Sequence, residues 1–181
     1  MILYVNSCVR AQSRTDKISR ALLSKLGGEY EEVFLPDLNL EPLSEEMIDK
    51  RTELLESGCF DDPMFDLANQ FAKADTIVIS APLWDASFPA SLKLYEEHIY
   101  CVGLTSKYDE TGMPVGLCNA KELYYVTTAG GPLIEDFGFG YWKMLATVCF
   151  GIKDVKLVKA EMLDVIGFDA DKIVNDVIEA L

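Results

Sequence analysis

Residues 2–22, "ILYVNSCVRAQSRTDKISRAL", place a short apolar run directly before a polar turn and an amphipathic pattern. The run at residues 2–5 is continuous, as is typical of a parallel strand that is covered on both faces. Ile18 and Leu22 then share one face of a helix. A strand, a turn and a helix in this order form the repeating unit of α/β proteins, so the stretch predicts that fold class.

The remaining sequence repeats this alternation of strand-like runs and helical patterns. Further strand-like runs occur at residues 32–35, 76–81, 123–127 and 155–163. Helical spacing is found in Phe65, Ala68, Phe71 and Ala72 after Pro63, in Leu92, Tyr95, Ile99 and Val102, in Tyr141, Met144, Leu145 and Val148, and in residues 170–181. We therefore predict one domain over residues 1–181. It is a three-layer α/β sandwich whose five-stranded parallel sheet has the flavodoxin-like order 2-1-3-4-5, with helices on both faces.

Composition limits the classes of partner. The chain is 50% hydrophobic and 25% charged, and no apolar run approaches the roughly 20 residues of a membrane span. The first residues lack the basic flank and cleavage site of a signal peptide, which predicts a cytoplasmic protein. A net charge of −14 argues against nucleic acid and anionic membranes as partners. It does not exclude a phosphorylated ligand, because charges beyond about 8 Å are largely screened at physiological salt.

The predicted strand order also predicts where a ligand binds. In open α/β sheets, ligands bind at the carboxyl ends of the strands, at the point where the strand order reverses. The loops after Val5, Ala81 and Thr127 are therefore expected to meet at one site.

The first of these loops has groups suited to phosphate. Ser13 is placed to cap the helix that starts near Arg14, and Asp16 occupies the acidic position of a capping box. Ser7 and Thr15 add hydroxyl donors around the helix N-terminus, which exposes amides and a partial positive charge. We predict a phosphate site here.

The second and third loops suit a flat ligand with polar edges. Residues 81–93 offer an apolar wall and backbone amides near Trp84 and Asp85. In residues 127–133, Gly130 and Gly131 allow the backbone to approach a ligand closely.

The first loop also fits a second interpretation. Cys8, five intervening residues, Arg14 and Thr15 form the Cys-x5-Arg-Thr pattern of a phosphatase loop, in which a thiolate attacks phosphorus. A general acid would come from Asp61 or Asp62, although these residues precede the third strand at a predicted helix start. The loop alone leaves both interpretations open.

The stretch "VGLTSKYDETGMPVGLCNAKELYYVTTAGG", residues 102–131, resembles the flavodoxin-fold FMN-dependent NAD(P)H:quinone oxidoreductases and azoreductases. "GIKDV", residues 151–155, resembles that family's lead into the last strand. The resemblance implies a homodimer with one FMN per subunit at the interface, to which Tyr95, Tyr100 and Trp142 are expected to contribute. It assigns the FMN phosphate to Ser7, Ser13, Arg14 and Thr15. It assigns the flavin ring to Pro82, Leu83, Trp84, Asp85, Thr128, Ala129, Gly130 and Gly131.

Three residues depart from the family pattern. Ala129 stands where many members have arginine, Asp85 where many have asparagine, and Ser106 where an aromatic residue is common. Ring contacts made by the backbone survive such changes, whereas Ser106 implies a substrate pocket with one aromatic wall missing.

The implied chemistry belongs to the cofactor. FMN would take a hydride from NADH or NADPH and pass it to a quinone, an azo compound or a similar acceptor. No side-chain acid, base or metal is required, and His98, the only histidine, is expected at the surface or an interface. The alternative is a flavodoxin-type one-electron carrier, although the first loop lacks that family's threonine-rich, glycine-containing phosphate turn.

Overall fold

The computed structural model describes residues 1–133 and 137–181. Its strands are β1 (Ile2–Asn6), β2 (Tyr30–Phe34), β3 (Thr76–Ser80), β4 (Ser106–Tyr108), β5 (Pro114–Gly116), β6 (Glu122–Thr128) and β7 (Asp154–Ala160). Five of them form a parallel sheet in the order β2-β1-β3-β6-β7. This confirms the predicted order, and the antiparallel pair β4–β5 is an insertion before the fourth strand of the sheet.

Helices lie between the strands. They are α1 (Arg14–Leu26), α2 (Glu45–Ser57), α3 (Asp66–Lys73), α4 (Ala90–Ile99), α5 (Phe139–Met144) and α6 (Ala170–Ala180). Short 3₁₀ turns occur at Leu35–Asp37 and Pro63–Phe65, and α5 continues as a π-helical segment, Leu145–Cys149. In the described part of the chain, no helix is both long and apolar enough to cross a bilayer.

Side chains from both faces of the sheet are buried, which confirms the three-layer arrangement. In β1, Tyr4 packs with Ile18 of α1 and Val174 of α6 on one face. Leu3 and Val5 point to the other face, where the core is completed by residues of α3, α4 and α5 that include Phe71, Tyr95 and Trp142. The parallel strands therefore hold their carboxyl ends at one edge, with helices on either side of it.

Helix α2 was not predicted from the sequence. None of its residues is fully buried, although Leu54 and Leu55 are partly buried against the core. Both ends of α2 have residues typical of helix caps. The Ser44 side chain accepts a hydrogen bond from the Met47 amide at 3.2 Å, and Gly58 ends the helix with a φ of 73°.

Two predicted boundaries were wrong. Val102 lies beyond α4, because the hydroxyl of Thr105 donates to the Ile99 carbonyl at 2.8 Å and accepts from the Cys101 amide at 3.1 Å, which turns the chain away. The last strand ends at Ala160 rather than at residue 163. The residues after Ala160 instead turn over the carboxyl edge of the sheet.

Candidate functional site

The carboxyl edge of the sheet borders a cavity of about 880 Å³. Nine of the predicted site residues line it, namely Ser13, Arg14 and Thr15 after β1, Pro82, Leu83 and Trp84 after β3, and Thr128, Ala129 and Gly130 at the end of β6. The segment after β7 contributes Leu163 and Asp164, which sequence reasoning missed. Ser7, Asp85 and Gly131 are not among the lining residues.

The loop after β1 presents unpaired backbone amides to this cavity. The amides of residues 9–12 donate to no acceptor within residues 1–133 and 137–181, and neither do those of Arg14 and Thr15 in the first turn of α1. All of these residues line the cavity. A cluster of free amides at a helix N-terminus is an arrangement that favours an anion.

Ser13 caps α1, but the predicted capping box is incomplete. The Ser13 hydroxyl accepts from the Asp16 amide at 3.3 Å, as expected of a cap. The Asp16 carboxylate does not return to the Ser13 amide, which donates to the Arg10 carbonyl instead. The Asp16 carboxylate instead accepts hydrogen bonds from Tyr4 Oη at 2.6 Å and from Arg20 Nε at 2.9 Å.

Ser7 and Thr15 are both fully buried. The Ser7 hydroxyl and amide donate to the Ser80 carbonyl at 2.8 and 3.0 Å, so both groups link β1 to β3. Thr15 Oγ1 lies 2.6 Å from Thr128 Oγ1, and this hydrogen bond joins the first and third loops. Both side chains therefore already have hydrogen-bond partners within the protein.

Cys8 lacks the properties of a phosphatase nucleophile. Its side chain is 3% exposed, and its sulfur lies 3.2 Å from Ser80 Oγ. Burial raises the pKa of the Cys8 thiol, whereas a catalytic thiolate needs a lowered pKa. Asp62 is engaged elsewhere, because its carboxylate caps the Pro63–Phe65 turn by accepting from the Met64 amide at 2.9 Å.

Arg14 spans the cavity mouth to the segment after β7. Its Nη1 donates to Asp164 Oδ1 at 3.0 Å, and both side chains remain largely exposed. The backbone of Asp164 is anchored to the loop after β6, because its amide donates to the Gly130 carbonyl at 2.9 Å. Arg14 is thus close to the free amides and paired with an exposed carboxylate that another anion can replace.

The loop after β3 is a tight turn. The Trp84 amide donates to the Ser87 carbonyl at 2.9 Å and the Ser87 amide to the Trp84 carbonyl at 2.8 Å. Asp85 and Ala86 at the tip have φ values of 49° and 66°. The Trp84 amide is therefore already used within the turn, contrary to its predicted availability to a ring, while the Trp84 side chain is exposed at the cavity.

The loop after β6 is anchored to the segment after β7. The Ala129 amide donates to the Ala160 carbonyl at 2.9 Å, and the Gly131 carbonyl accepts from the Met162 amide at 3.2 Å. The amides of Gly130 and Gly131 have no acceptor among the described residues. A side chain at position 130 would collide with Asp164, at 2.5 Å from its Oδ2, so glycine lets this carboxylate lie against the loop.

Two further residues singled out in the sequence lie away from the cavity lining. His98 lies in the last turn of α4, and its Nε2 is 2.9 Å from the carbonyl oxygen of Glu41. Ser106 is buried at the start of β4, and its hydroxyl has no hydrogen-bond partner among residues 1–133 and 137–181.

The sheet order and the site together define an α/β protein with a cavity at the carboxyl edge of its parallel sheet, lined by free amides at the β1–α1 turn and by Trp84 and the end of β6. The family model described as "Flavodoxin-like fold" matches residues 1–181. The chain belongs to this family.

Curated relatives and solved structures are consistent with that membership. The chain is 35% identical to "FMN-dependent NADH:quinone oxidoreductase" of Coprothermobacter proteolyticus, over 97% of this chain and 92% of the relative. It is also 35% identical to "FMN-dependent NADH:quinone oxidoreductase 2" of Clostridium acetobutylicum, over 98% and 94%. Among solved structures, an azoreductase from Bacillus anthracis superposes with a TM-score of 0.86 at 23% identity, over 99% of this chain and 95% of that one. An FMN-dependent NADH-azoreductase from the same species, in complex with FMN, gives 0.81 at 23% identity, over 99% and 94%.

Proposed function

We propose that this protein is an FMN-dependent oxidoreductase that uses NADH to reduce quinones, with azo compounds as further acceptors. The observation that carries the proposal is the row of unpaired amides at residues 9–12, 14 and 15 beside a large cavity. A phosphate needs such donors, and a cavity of about 880 Å³ lies within the usual range for small-molecule ligands. The names of two curated relatives give the cofactor, the donor and the quinone.

The residues present fit FMN. The amides of the first loop and of the first turn of α1 bind the phosphate, and Arg14 exchanges Asp164 for it. Ser7 and Thr15 act by holding the loop, since their hydroxyls are bonded to Ser80 and Thr128. Ser13 fixes the first turn of the helix as its cap.

The second and third loops would hold the flavin ring. Pro82, Leu83 and the Trp84 side chain would supply an apolar wall, and Thr128 and Ala129 line the same cavity. The unpaired amide of Gly130, which lines the cavity, would be available to stabilise negative charge on the ring, as a preorganised donor does. Asp85, at the tip of its turn, does not line the cavity, so we assign it no contact with the ring.

When bound, FMN would supply the redox chemistry of two-electron transfer from NADH to the acceptor. The protein residues contribute orientation and electrostatic stabilisation rather than proton transfer. This distinguishes the proposal from the phosphatase interpretation, which depends on a Cys8 thiolate that burial disfavours. It is also favoured over a one-electron carrier, because the curated relatives are named as oxidoreductases of NADH and quinone.

We also infer a homodimer, although not through all the residues first expected. Tyr95 and Trp142 are fully buried in the subunit core and present no surface to a partner. A better candidate is the apolar set on the β4–β5 hairpin and the end of α5, where β5 packs on the π-helical segment. Its exposed members are Tyr108, Met113, Val115, Met144 and Val148. Exposed apolar patches of this kind favour association.

The test is reconstitution of the purified protein with FMN, followed by an assay of NADH oxidation with and without a quinone. We expect stoichiometric FMN uptake and quinone-dependent NADH oxidation. Failure to bind FMN, or phosphate release from an aryl phosphate that depends on Cys8, would refute the proposal. A cytoplasmic location remains a prediction of the sequence, and it is checked by fractionating cells that express the protein.

A further inference from the structure

A network of charged and polar side chains supports the phosphate loop from behind. Arg20 is its centre, with Nε donating to Asp16 Oδ2 at 2.9 Å and Nη2 donating to both Glu32 carboxylate oxygens at 2.9 and 3.2 Å. The guanidinium also lies over the Tyr4 ring, 5.6 Å from its centroid. These contacts join α1 to the middle of β1 and β2, where Tyr4 pairs with Glu32.

Asn6 connects this network to the loop itself. It is 2% exposed, and its Nδ2 donates to Glu32 at 2.9 Å and to Asp16 at 3.1 Å. Its Oδ1 accepts from the Cys8 amide at 3.0 Å. The first peptide of the loop is therefore fixed by a side chain that the two carboxylates hold in place.

The network also places negative charge next to the proposed phosphate. Asp16 lines the cavity, and Glu32 is connected to it by two hydrogen bonds, both donated by Asn6 Nδ2. Within residues 1–133 and 137–181, Arg20 is the only cation in an ion pair with either carboxylate. Within this network one positive charge thus compensates two negative charges, and the other cations that line the cavity, Arg10, Arg14 and Lys17, form no ion pair with either carboxylate in the described residues.

We propose that Arg20 is a positioning residue that makes the loop after β1 selective for a flavin bearing a phosphate ester. It neutralises Asp16 and Glu32, and through Asp16 and Asn6 it holds the free amides toward the cavity. The inference rests on the proposed function, because it concerns the same FMN site. Without Arg20, two uncompensated carboxylates would repel the phosphate and leave the uncharged flavin ring largely unaffected.

The comparison of FMN with riboflavin separates this role from a purely structural one. Riboflavin has the same ring without the phosphate, so general damage to the fold weakens both ligands alike. Lys156 supplies a matched control, because it also pairs with two carboxylates, Glu122 at 2.7 Å and Asp154 at 3.1 Å, and lies over a tyrosine ring. Its partners are the first residues of β6 and β7, at the opposite edge of the sheet.

The experiment measures the Kd of FMN and of riboflavin for the apoprotein by fluorescence quenching, in the wild type and in Arg20→Met, Arg20→Lys, Glu32→Gln and Lys156→Met. We expect Arg20→Met to weaken FMN about tenfold and riboflavin less than about threefold, because only the phosphate is repelled. Arg20→Lys should recover part of the loss. Lys156→Met should change neither Kd.

Glu32→Gln removes one negative charge and keeps the shape of the side chain, so it tests the idea even if Arg20→Met fails to fold. It should tighten FMN about two- to threefold and leave riboflavin unchanged. Equal weakening of both ligands in Arg20→Met, or unchanged FMN binding in Glu32→Gln, would overturn the assignment of Arg20. A wild-type protein that binds neither ligand would instead refute the proposed function, so the two failures are distinguishable.

Discussion

Replacing Arg14 or Asp164 tests whether a phosphate displaces a carboxylate at the cavity mouth. Their Nη1 and Oδ1 atoms are 3.0 Å apart, and the side chains are 43% and 74% exposed. An ion pair this exposed contributes about 0–1 kcal/mol. A hydrogen bond to a charged group inside a binding site contributes about 1.5–3 kcal/mol. The exchange of Asp164 for a phosphate should therefore favour FMN binding by about 1–2 kcal/mol.

We expect Arg14→Met to raise the Kd of FMN by about 5- to 30-fold, since 1.4 kcal/mol corresponds to a factor of ten. Asp164→Asn should lower that Kd by about two- to fivefold, because it removes the competing acceptor and a negative charge from the cavity. In the double variant, the benefit of Asp164→Asn should largely disappear, since the carboxylate acts mainly through Arg14.

The assay is fluorescence titration of the apoprotein, with riboflavin as the ligand that lacks a phosphate. The Kd of riboflavin should change by less than about twofold in all three variants, because they alter only the anion contact. Equal losses for FMN and riboflavin in Arg14→Met would refute the reasoning, and so would weaker FMN binding in Asp164→Asn.

Other changes test the loop and the surface. Cys8→Ser should retain FMN binding, because the buried thiol is not a ligand donor; aryl phosphatase turnover that disappears with the sulfur would contradict this. Ser13→Ala should lower the free energy of unfolding by about 1 kcal/mol through loss of a cap, measured by urea denaturation, and an unchanged midpoint would argue against it. Thr15→Val should cost about 1–3 kcal/mol in thermal unfolding by leaving the Thr128 hydroxyl unpaired, with Thr15→Ser as the milder control; equal stability of the two variants would contradict the hydrogen bond. Val148→Glu should shift the mass measured by light scattering from dimer to monomer, and an unaltered dimer would exclude that surface.

The sheet order was predictable because each central strand is a continuous apolar run and each is followed by a helical period. Parallel strands that are buried on both faces leave that pattern in the sequence. Helix α2 left a weaker pattern, since none of its residues is fully buried and Leu54 and Leu55 are only partly buried against the core. The β4–β5 hairpin, with three residues in each strand, is also too short to show an alternation.

The site was predictable only as far as local sequence encodes it. The Ser13 cap lies three residues from the amide it binds, so spacing reveals it. The pairing of Arg14 with Asp164 spans 150 positions, and no local pattern indicates it. The burial of Tyr95 and Trp142 was missed for a related reason, because an aromatic residue at helical spacing fits an interface and a core equally well.

The central claim is that this chain binds FMN and reduces it with NADH. The most direct measurement is an anaerobic NADH titration of the FMN-reconstituted protein followed by its absorbance spectrum. We expect the oxidised flavin bands to bleach with one equivalent of NADH per FMN, and to return on addition of a quinone. A protein that remains colourless after incubation with FMN, or one that accumulates a long-lived one-electron-reduced radical during the titration, would contradict the account.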